Sequence, residues 1–485
     1  MDIYVAAVVL YIAILTGFGI YKSRSVKTQD DFMVAGRKTS AMFLSGTLIC
    51  SWIGSGSLFG GAGLAFRMGF SELWMSAGAW VGIAIVYFLA HRVRRISQYT
   101  VADILEKRYN SVARVFGSSA VIIAYLTIAG YQFRGGGRLL NILTGIDPLW
   151  GGAITCVVVI LFTVVAGMVS IITIDLFNGV MMTVGVLLAV PLVYSAVGGA
   201  EQLATLPAER FMALGGHNMT WAMGVFFPTF FLLLGESSMY QKFFAAKDES
   251  TARRAVVGMI IGVIIVESML CALAVFGSAK YINLAPFVAA DGSIDRATTE
   301  TIILHLARYD LPTAAGVLLL CAAVAIILST ANSYLMIPST NITRDFYQRF
   351  INPEVSQPAI VRFQRISIVV LGIIAFVMAN FFKTILDMAF TAYTMVGAGL
   401  TPALLAAFLW KRVTVAGGVS SIIAGMGTTI AVTIFNFIVP ESAMETDYII
   451  IPAAIASIVC LLGVSLLTPP SPEEKWKPFV DTKGM

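Results

Sequence analysis

The segment ILSTANSYLMIPSTNITRDFY, Ile327 to Tyr347, sets four neutral oxygen-bearing side chains inside an apolar stretch. Ser329, Asn332 and Ser333 stand at i, i+3 and i+4, so they share one helix face. Thr330 lies beside them and meets Ser333 three positions on. A hard cation prefers oxygen ligands. Uncharged hydroxyls joined to backbone carbonyls would bind a monovalent ion without burying a lone carboxylate. Ser and Thr also bond back to carbonyls of their own helix, but a cluster of four polar groups favours the cation.

The carbonyls have a candidate source in ICSWIGSGSLFGGAGLAF, Ile49 to Phe66, where five of 18 residues are glycine and three are serine. Glycine costs roughly 1 kcal/mol relative to alanine in a helix interior. A second apolar run, FFLLLGESSMYQKFF from Phe230 to Phe244, is interrupted by Gly235, Glu236, Ser237 and Ser238. In a bilayer, broken backbone is tolerated only where it is buried in protein or lines a cavity. Ion-coupled transporters use such breaks to present carbonyls to a cation and half-helix ends to a solute. Gly56-x-x-x-Gly60 also permits simple close packing of two helices; the matching second break favours the transporter reading.

The elements that position these groups are membrane spans. Of the 485 residues, 58% are hydrophobic and 12% charged, and apolar runs of about 20 residues, each able to cross a hydrocarbon core, recur from end to end. This predicts an all-α polytopic membrane protein with 13 spans, near 3–21, 41–66, 70–90, 115–140, 147–168, 171–196, 220–243, 254–278, 311–342, 364–382, 384–410, 414–438 and 447–468. Residues 3–21 read as a retained helix, since MDIY has no basic leader character. With the N-terminus outside, the inner segments and their margins hold 24 of the 32 Lys and Arg residues, Lys242 among them. That asymmetry sets the N-terminus outside and the C-terminus in the cytoplasm. The tail PPSPEEKWKPF reads as extended or disordered, and Asp291 to Ser293 as a turn. The breaks fall in spans two and seven. They are five spans apart, so the second unit enters from the opposite side, as in inverted repeats.

The chain resembles the sodium:solute symporter family along its length. The resemblance is carried by DDFMVAGR (Asp30 to Arg37), the glycine-broken second span, FSELW (Phe70 to Trp74) and TVVAGMVSIITID (Thr163 to Asp175). It continues in YQKFFAAKDESTARRA (Tyr240 to Ala255), the LSTANS and RDFY motifs of the ninth span, and FLWKRVTVAGG (Phe408 to Gly418). Ala166 stands where the family usually shows the first glycine of a pair. The resemblance implies a five-plus-five inverted-repeat core with discontinuous helices. Residues 1–40 would form the first helix and a cytoplasmic loop, 41–196 the first repeat, 197–410 the second, and 411–485 two accessory helices and a tail. It further implies a main Na+ site formed by the carbonyls of Cys50, Ile53 and Ile326 with the hydroxyls of Ser329 and Thr330. A second sodium site, found in some members, would map onto Asp175 with Ser329, Asn332 and Ser333; Asp175 could instead make a salt bridge near the inner face or bond the start of its helix.

Ionisable residues deep in spans are functional candidates, each needing a partner. Glu236 lies at the second break, where it would favour an ammonium-bearing solute or pair with Arg134. Arginine's fork suits a carboxylate, so Arg134 and Glu236 together point to a zwitterionic or carboxylate-bearing metabolite, or to an ion pair that never touches solute. By the resemblance, Trp52, Ser55, Ser57 and Trp74 would line the cavity, though Trp74 also suits an interfacial anchor. Glu267 and Asp387 are expected to make interhelical bonds.

The expected function is sodium-driven symport of a small organic solute by alternating access, in the cytoplasmic membrane. The partners are sodium, the solute and the bilayer, with no nucleic acid, in a monomer or weak homodimer. A proton-coupled carrier of the same fold and a transporter-like sensor are the alternatives. No nucleophile–base constellation or nucleotide motif points to an enzyme.

Overall fold

The computed structural model describes residues 2–23, 28–96, 98–288 and 292–480. Asp291, in the expected turn, lies outside them. Among the described residues, twelve helical stretches are long and apolar enough to cross a membrane, and Ala41–Trp52 adds a shorter apolar helix. The chain is therefore a multi-pass membrane protein. We number its principal helices α1 (Ile3–Ser23), α2 (Ala41–Trp52), α3 (Ala62–Met68), α4 (Leu73–Val86), α5 (Ser111–Thr144), α6 (Pro148–Ala196), α7 (Met219–Leu234) and α8 (Ser237–Ala245). There follow α9 (Glu249–Tyr281), α10 (Thr313–Asn341), α11 (Gln357–Ala379), α12 (Ile385–Gly399), α13 (Thr401–Leu409), α14 (Val415–Ile438), α15 (Ile450–Leu467) and α16 (Glu473–Val480).

Burial separates the centre from the rim. Every residue of α10 from Leu319 to Asn341 is buried, as expected of a helix with protein on all sides. It packs on α5 and α6, and α2 packs on α6 and α9. By contrast, α1, α14 and α15 leave large aliphatic and aromatic side chains exposed, including Leu10, Ile14, Phe435, Val459 and Leu466. Such exposed apolar faces suit a hydrocarbon surrounding.

The expected spans at 147–168 and 171–196 are both present, as Pro148–Val165 and Gly167–Ala196, joined at a break within α6. Gly167 turns it with φ +63° and ψ 172°, a left-handed value that L side chains rarely adopt. A Cβ there would also meet the ring of Phe32 at 2.9 Å.

The tail corrects an expectation. Instead of an extended segment, Glu473–Val480 is helical, and Phe479 is buried with its ring centroid 5.8 Å from that of Phe408. Lys475 Nζ donates to the Tyr109 carbonyl at 3.1 Å. Composition reported the prolines and charges, but one aromatic anchor suffices to dock the segment.

Candidate functional site

Helix α2 stops at Trp52 because Ile53 turns to an extended conformation, φ −77° and ψ 102°. The chain resumes as a wide helical turn over Gly56–Gly61 and continues into α3. Gly54, between them, has no room for a side chain: a Cβ would meet Gln132 Nε2 and Thr330 Cγ2, each at 2.7 Å. The glycines at this break thus allow α5 and α10 to approach the backbone.

That approach brings five oxygens together. Thr330 Oγ1 lies 2.9 Å from the Cys50 carbonyl and 3.0 Å from that of Ile53, and donates in this pair of contacts. Ser329 Oγ lies 3.2 Å from the carbonyls of both Cys50 and Ile326. All five residues are buried. The cluster carries no formal charge, and its donor set is that of a hard monovalent cation. The same contacts show that the helix-carbonyl habit of Ser and Thr and the cation cluster are not exclusive: Ser329 reaches its own helix at Ile326 and the broken α2 together.

The second break follows the same logic. Helix α7 ends at Leu234, and Gly235 must be small, since a Cβ would meet Thr401 Oγ1 at 2.2 Å. Glu236 is extended, and its carboxylate accepts from the Ser238 N–H at 3.1 Å, capping α8. Its remaining contacts are tyrosines: Tyr125 OH donates to Oε1 at 2.6 Å and Tyr334 OH to Oε2 at 3.0 Å. The two tyrosine rings meet edge to face, 4.6 Å between centroids.

The structure does not bring Arg134 to Glu236. Its guanidinium donates to the carbonyls of Ala379 (3.3 Å), Phe382 (2.6 Å) and Lys383 (3.0 Å), pinning the loop between α11 and α12. Arg138 pairs with Glu300, whose carboxylate also accepts from the N–H groups of Ile385 and Leu386 at the start of α12. The expected ion pair is replaced by backbone carbonyls, which a helix periodicity cannot anticipate because they belong to a distant loop end.

The other expected cavity residues divide. The Ser55 N–H donates to Gln132 Oε1 at 2.9 Å, on the α5 side. Trp52 and Ser57 face α9, where both contact Glu267 Oε1, at 2.9 and 3.4 Å. Trp80 Nε1 donates to the other oxygen of Glu267 at 2.8 Å. Trp74 stands apart from all of them: its Nε1 donates to the Ala213 carbonyl at 2.9 Å, and its ring packs on Phe226. Its placement is that of an anchor for the 197–219 loop.

Around Asp175 the structure shows the salt bridge that was the alternative to a second sodium. Asp175 Oδ2 accepts from Thr47 Oγ1 at 2.5 Å. The Lys242 ammonium lies 3.8 Å from the same oxygen and donates to the Thr47 carbonyl at 2.9 Å and to Ser333 Oγ at 3.2 Å. Asn332 is engaged elsewhere, accepting from Thr163 Oγ1 at 2.9 Å. A fixed cation therefore sits beside Asp175 and Ser333, two of the residues to which the resemblance assigns a second sodium. From sequence, Lys242 reads as an inner-margin charge reaching for the interface; after the break at Glu236, α8 runs back into the core and buries it completely.

Sequence reasoning missed Lys242, Gln132, Tyr125 and Tyr334. Tyr334 carried a faint signal, four residues after Thr330 on the same face. Gln132 carried one too, as an amide within the apolar α5. Both are fully or nearly buried, and Gln132 Nε2, Ser55 Oγ and Ser238 Oγ have no hydrogen-bond partner among the described residues.

Two interrupted helices, the first with its break against an uncharged oxygen cluster, are the arrangement of a secondary transporter. The chain belongs to the Sodium:solute symporter family, whose profile matches residues 32–425. It is 25% identical over 497 residues to the osmoregulated proline transporter OpuE of Bacillus subtilis, covering 96% of this chain and 95% of that one. It is 26% identical over 493 residues to a sodium/proline symporter of Staphylococcus aureus, covering 95% and 92%. In fold it is similar to a Na+-coupled sialic acid symporter solved in a substrate-bound outward-open state, with TM-score 0.80, 17% identity and coverage of 97% and 99%. It is also similar to Mhp1, a nucleobase-cation-symport-1 family transporter, with TM-score 0.56, 11% identity and coverage of 92% and 97%. The fold is that of the inverted-repeat transporters with discontinuous helices. Membership of the family makes the chain a sodium-coupled symporter of a small organic solute, and not an enzyme.

Proposed function

We propose that this chain imports a zwitterionic or carboxylate-bearing metabolite, such as an amino acid, together with sodium bound by Cys50, Ile53, Ile326, Ser329 and Thr330. The observation that carries the reading is the convergence of those five neutral oxygens across the first break. At the same break, the unpaired donors Ser55 Oγ and Gln132 Nε2 suit a solute carboxylate, beside the amino-terminal end of the half-helix that begins at Gly56. The Glu236 carboxylate at the second break suits the solute's ammonium. Ser57 and Trp52 stand on the other side of the break, against Glu267. The two proline-transporting relatives support an amino acid as the solute class.

Sodium entering from outside would join α2 to α10, bias the outward-open state and complete the solute pocket. Low internal sodium then promotes release. A ligand moves that equilibrium only by its differential affinity for the two states. In this reading residues 41–196 and 197–410 are the two repeats, and 411–485 are accessory helices and tail. The chain lies in the cytoplasmic membrane with its N-terminus outside and C-terminus inside, as a monomer or weak homodimer.

A thermal-shift screen of detergent-purified protein against amino acids, carboxylates, sugars and amines, each in sodium and in potassium, tests this. A ligand that binds the native state raises its apparent stability. An amino acid or organic acid that stabilises only in sodium is the expected result. A hit indifferent to sodium and abolished by Glu236→Gln would overturn sodium coupling in favour of a proton-coupled carrier.

A further inference from the structure

Four helices meet around one ammonium group. Lys242, on α8, reaches Thr47 on α2, Asp175 on α6 and Ser333 on α10. We infer that Lys242 is a tethered cation standing in for a second sodium ion, so that this chain binds and moves one sodium per cycle. The inference rests on the sodium-coupled reading above and specifies its stoichiometry.

Charge is the first reason. Lys242 is the only ion-pair partner of Asp175 among the described residues, and both are buried from water. The pair is neutral as it stands. A sodium ion held by Asp175 would sit within a few ångströms of the Lys242 ammonium, and like charges that close in a buried site repel strongly.

The donor atoms are the second reason. An ammonium offers three N–H donors, and here they meet the oxygens that a sodium ion would need. The Thr47 carbonyl and Ser333 Oγ accept from Nζ. Asp175 Oδ2 is shared between Thr47 Oγ1 and the ammonium.

Covalent attachment separates the two cations functionally. A sodium ion can leave to the cytoplasm and draw energy from its gradient, whereas Lys242 travels only as far as α8 does. The ammonium ties α8 to α2, α6 and α10 without adding to the driving force.

Equilibrium binding of sodium-22 to the purified full-length chain, counted per polypeptide, tests the inference directly. The native chain is expected to bind one ion. Lys242→Ser, which removes the tethered charge and leaves room and a hydroxyl, is expected to bind two. Asp175→Asn combined with Lys242→Ser, which removes both charges, should return to one. Two ions in the native chain, or one in a folded Lys242→Ser protein, overturns the inference. Should the serine variant fail to fold, Lys242→Gln, neutral and one bond shorter than lysine, carries the same expectation of two. A native chain that binds no sodium defeats the sodium-coupled reading itself, and this one with it.

Discussion

The indole Nε1 of Trp52 donates to Glu267 Oε1 across 2.9 Å, tying the last residue of α2 before the break to the middle of α9. Trp52 lies between Cys50 and Ile53, whose carbonyls face Thr330. Glu267 therefore holds the frame on which the oxygen cluster is built, with Trp80 Nε1 on its other oxygen.

Replacing Glu267 with alanine leaves two half-buried indole donors unpaired. A buried donor without a partner costs about 1–3 kcal/mol, so Glu267→Ala should lower the thermal midpoint clearly and weaken sodium binding several-fold. Glu267→Gln retains an acceptor and should fall between the native chain and the alanine variant. Equal behaviour of the two variants in thermal and sodium-22 binding assays would contradict this role.

Thr330 bridges the carbonyls of Cys50 and Ile53. Thr330→Ala should weaken sodium by at least about tenfold, equivalent to roughly 1.4 kcal/mol. Because binding coupling is reciprocal, sodium's enhancement of solute affinity should shrink as well. Isothermal titration of solute at several sodium concentrations reads both. Lost solute affinity with unchanged sodium dependence would remove Thr330 from the cation site.

Gly54 has Gln132 Nε2 and Thr330 Cγ2 both 2.7 Å from where a Cβ would stand. Gly54→Ala must push α5 or α10 outward, and overpacking of this kind costs about 1–3 kcal/mol. Sodium affinity should drop even though alanine supplies no competing ligand. Gly427, with nothing near its Cβ position, is the control: Gly427→Ala should leave binding unchanged.

Arg134 binds three carbonyls at the α11–α12 connection. Arg134→Ala should reduce thermal stability while changing equilibrium solute affinity by less than about threefold, under 1 kcal/mol. Arg134→Lys should recover only part of the stability, since an ammonium cannot spread over three carbonyls as a planar guanidinium does. A solute affinity lost by an order of magnitude in a stable variant would return Arg134 to the pocket.

Much of this molecule was legible along the chain because membranes constrain sequence strongly. The spans follow from runs of apolar residues that must satisfy their own backbone. The two breaks follow from Gly54 to Gly63 and Gly235 to Ser238, which interrupt such runs where interruption is costly. Ser329 and Thr330 were visible by helix spacing, and the family motifs supplied the carbonyls of Cys50, Ile53 and Ile326. Only the fold decided who faces whom across distant segments. Arg134 turns to loop carbonyls some 245 residues away in sequence, and Trp52 and Ser55 face opposite neighbours although three positions apart. Lys242 looked like an inner-margin charge because its local sequence is that of a helix end. It became the partner of Asp175 because α8 enters the core after the break, and a buried carboxylate takes the nearest cation that packing allows.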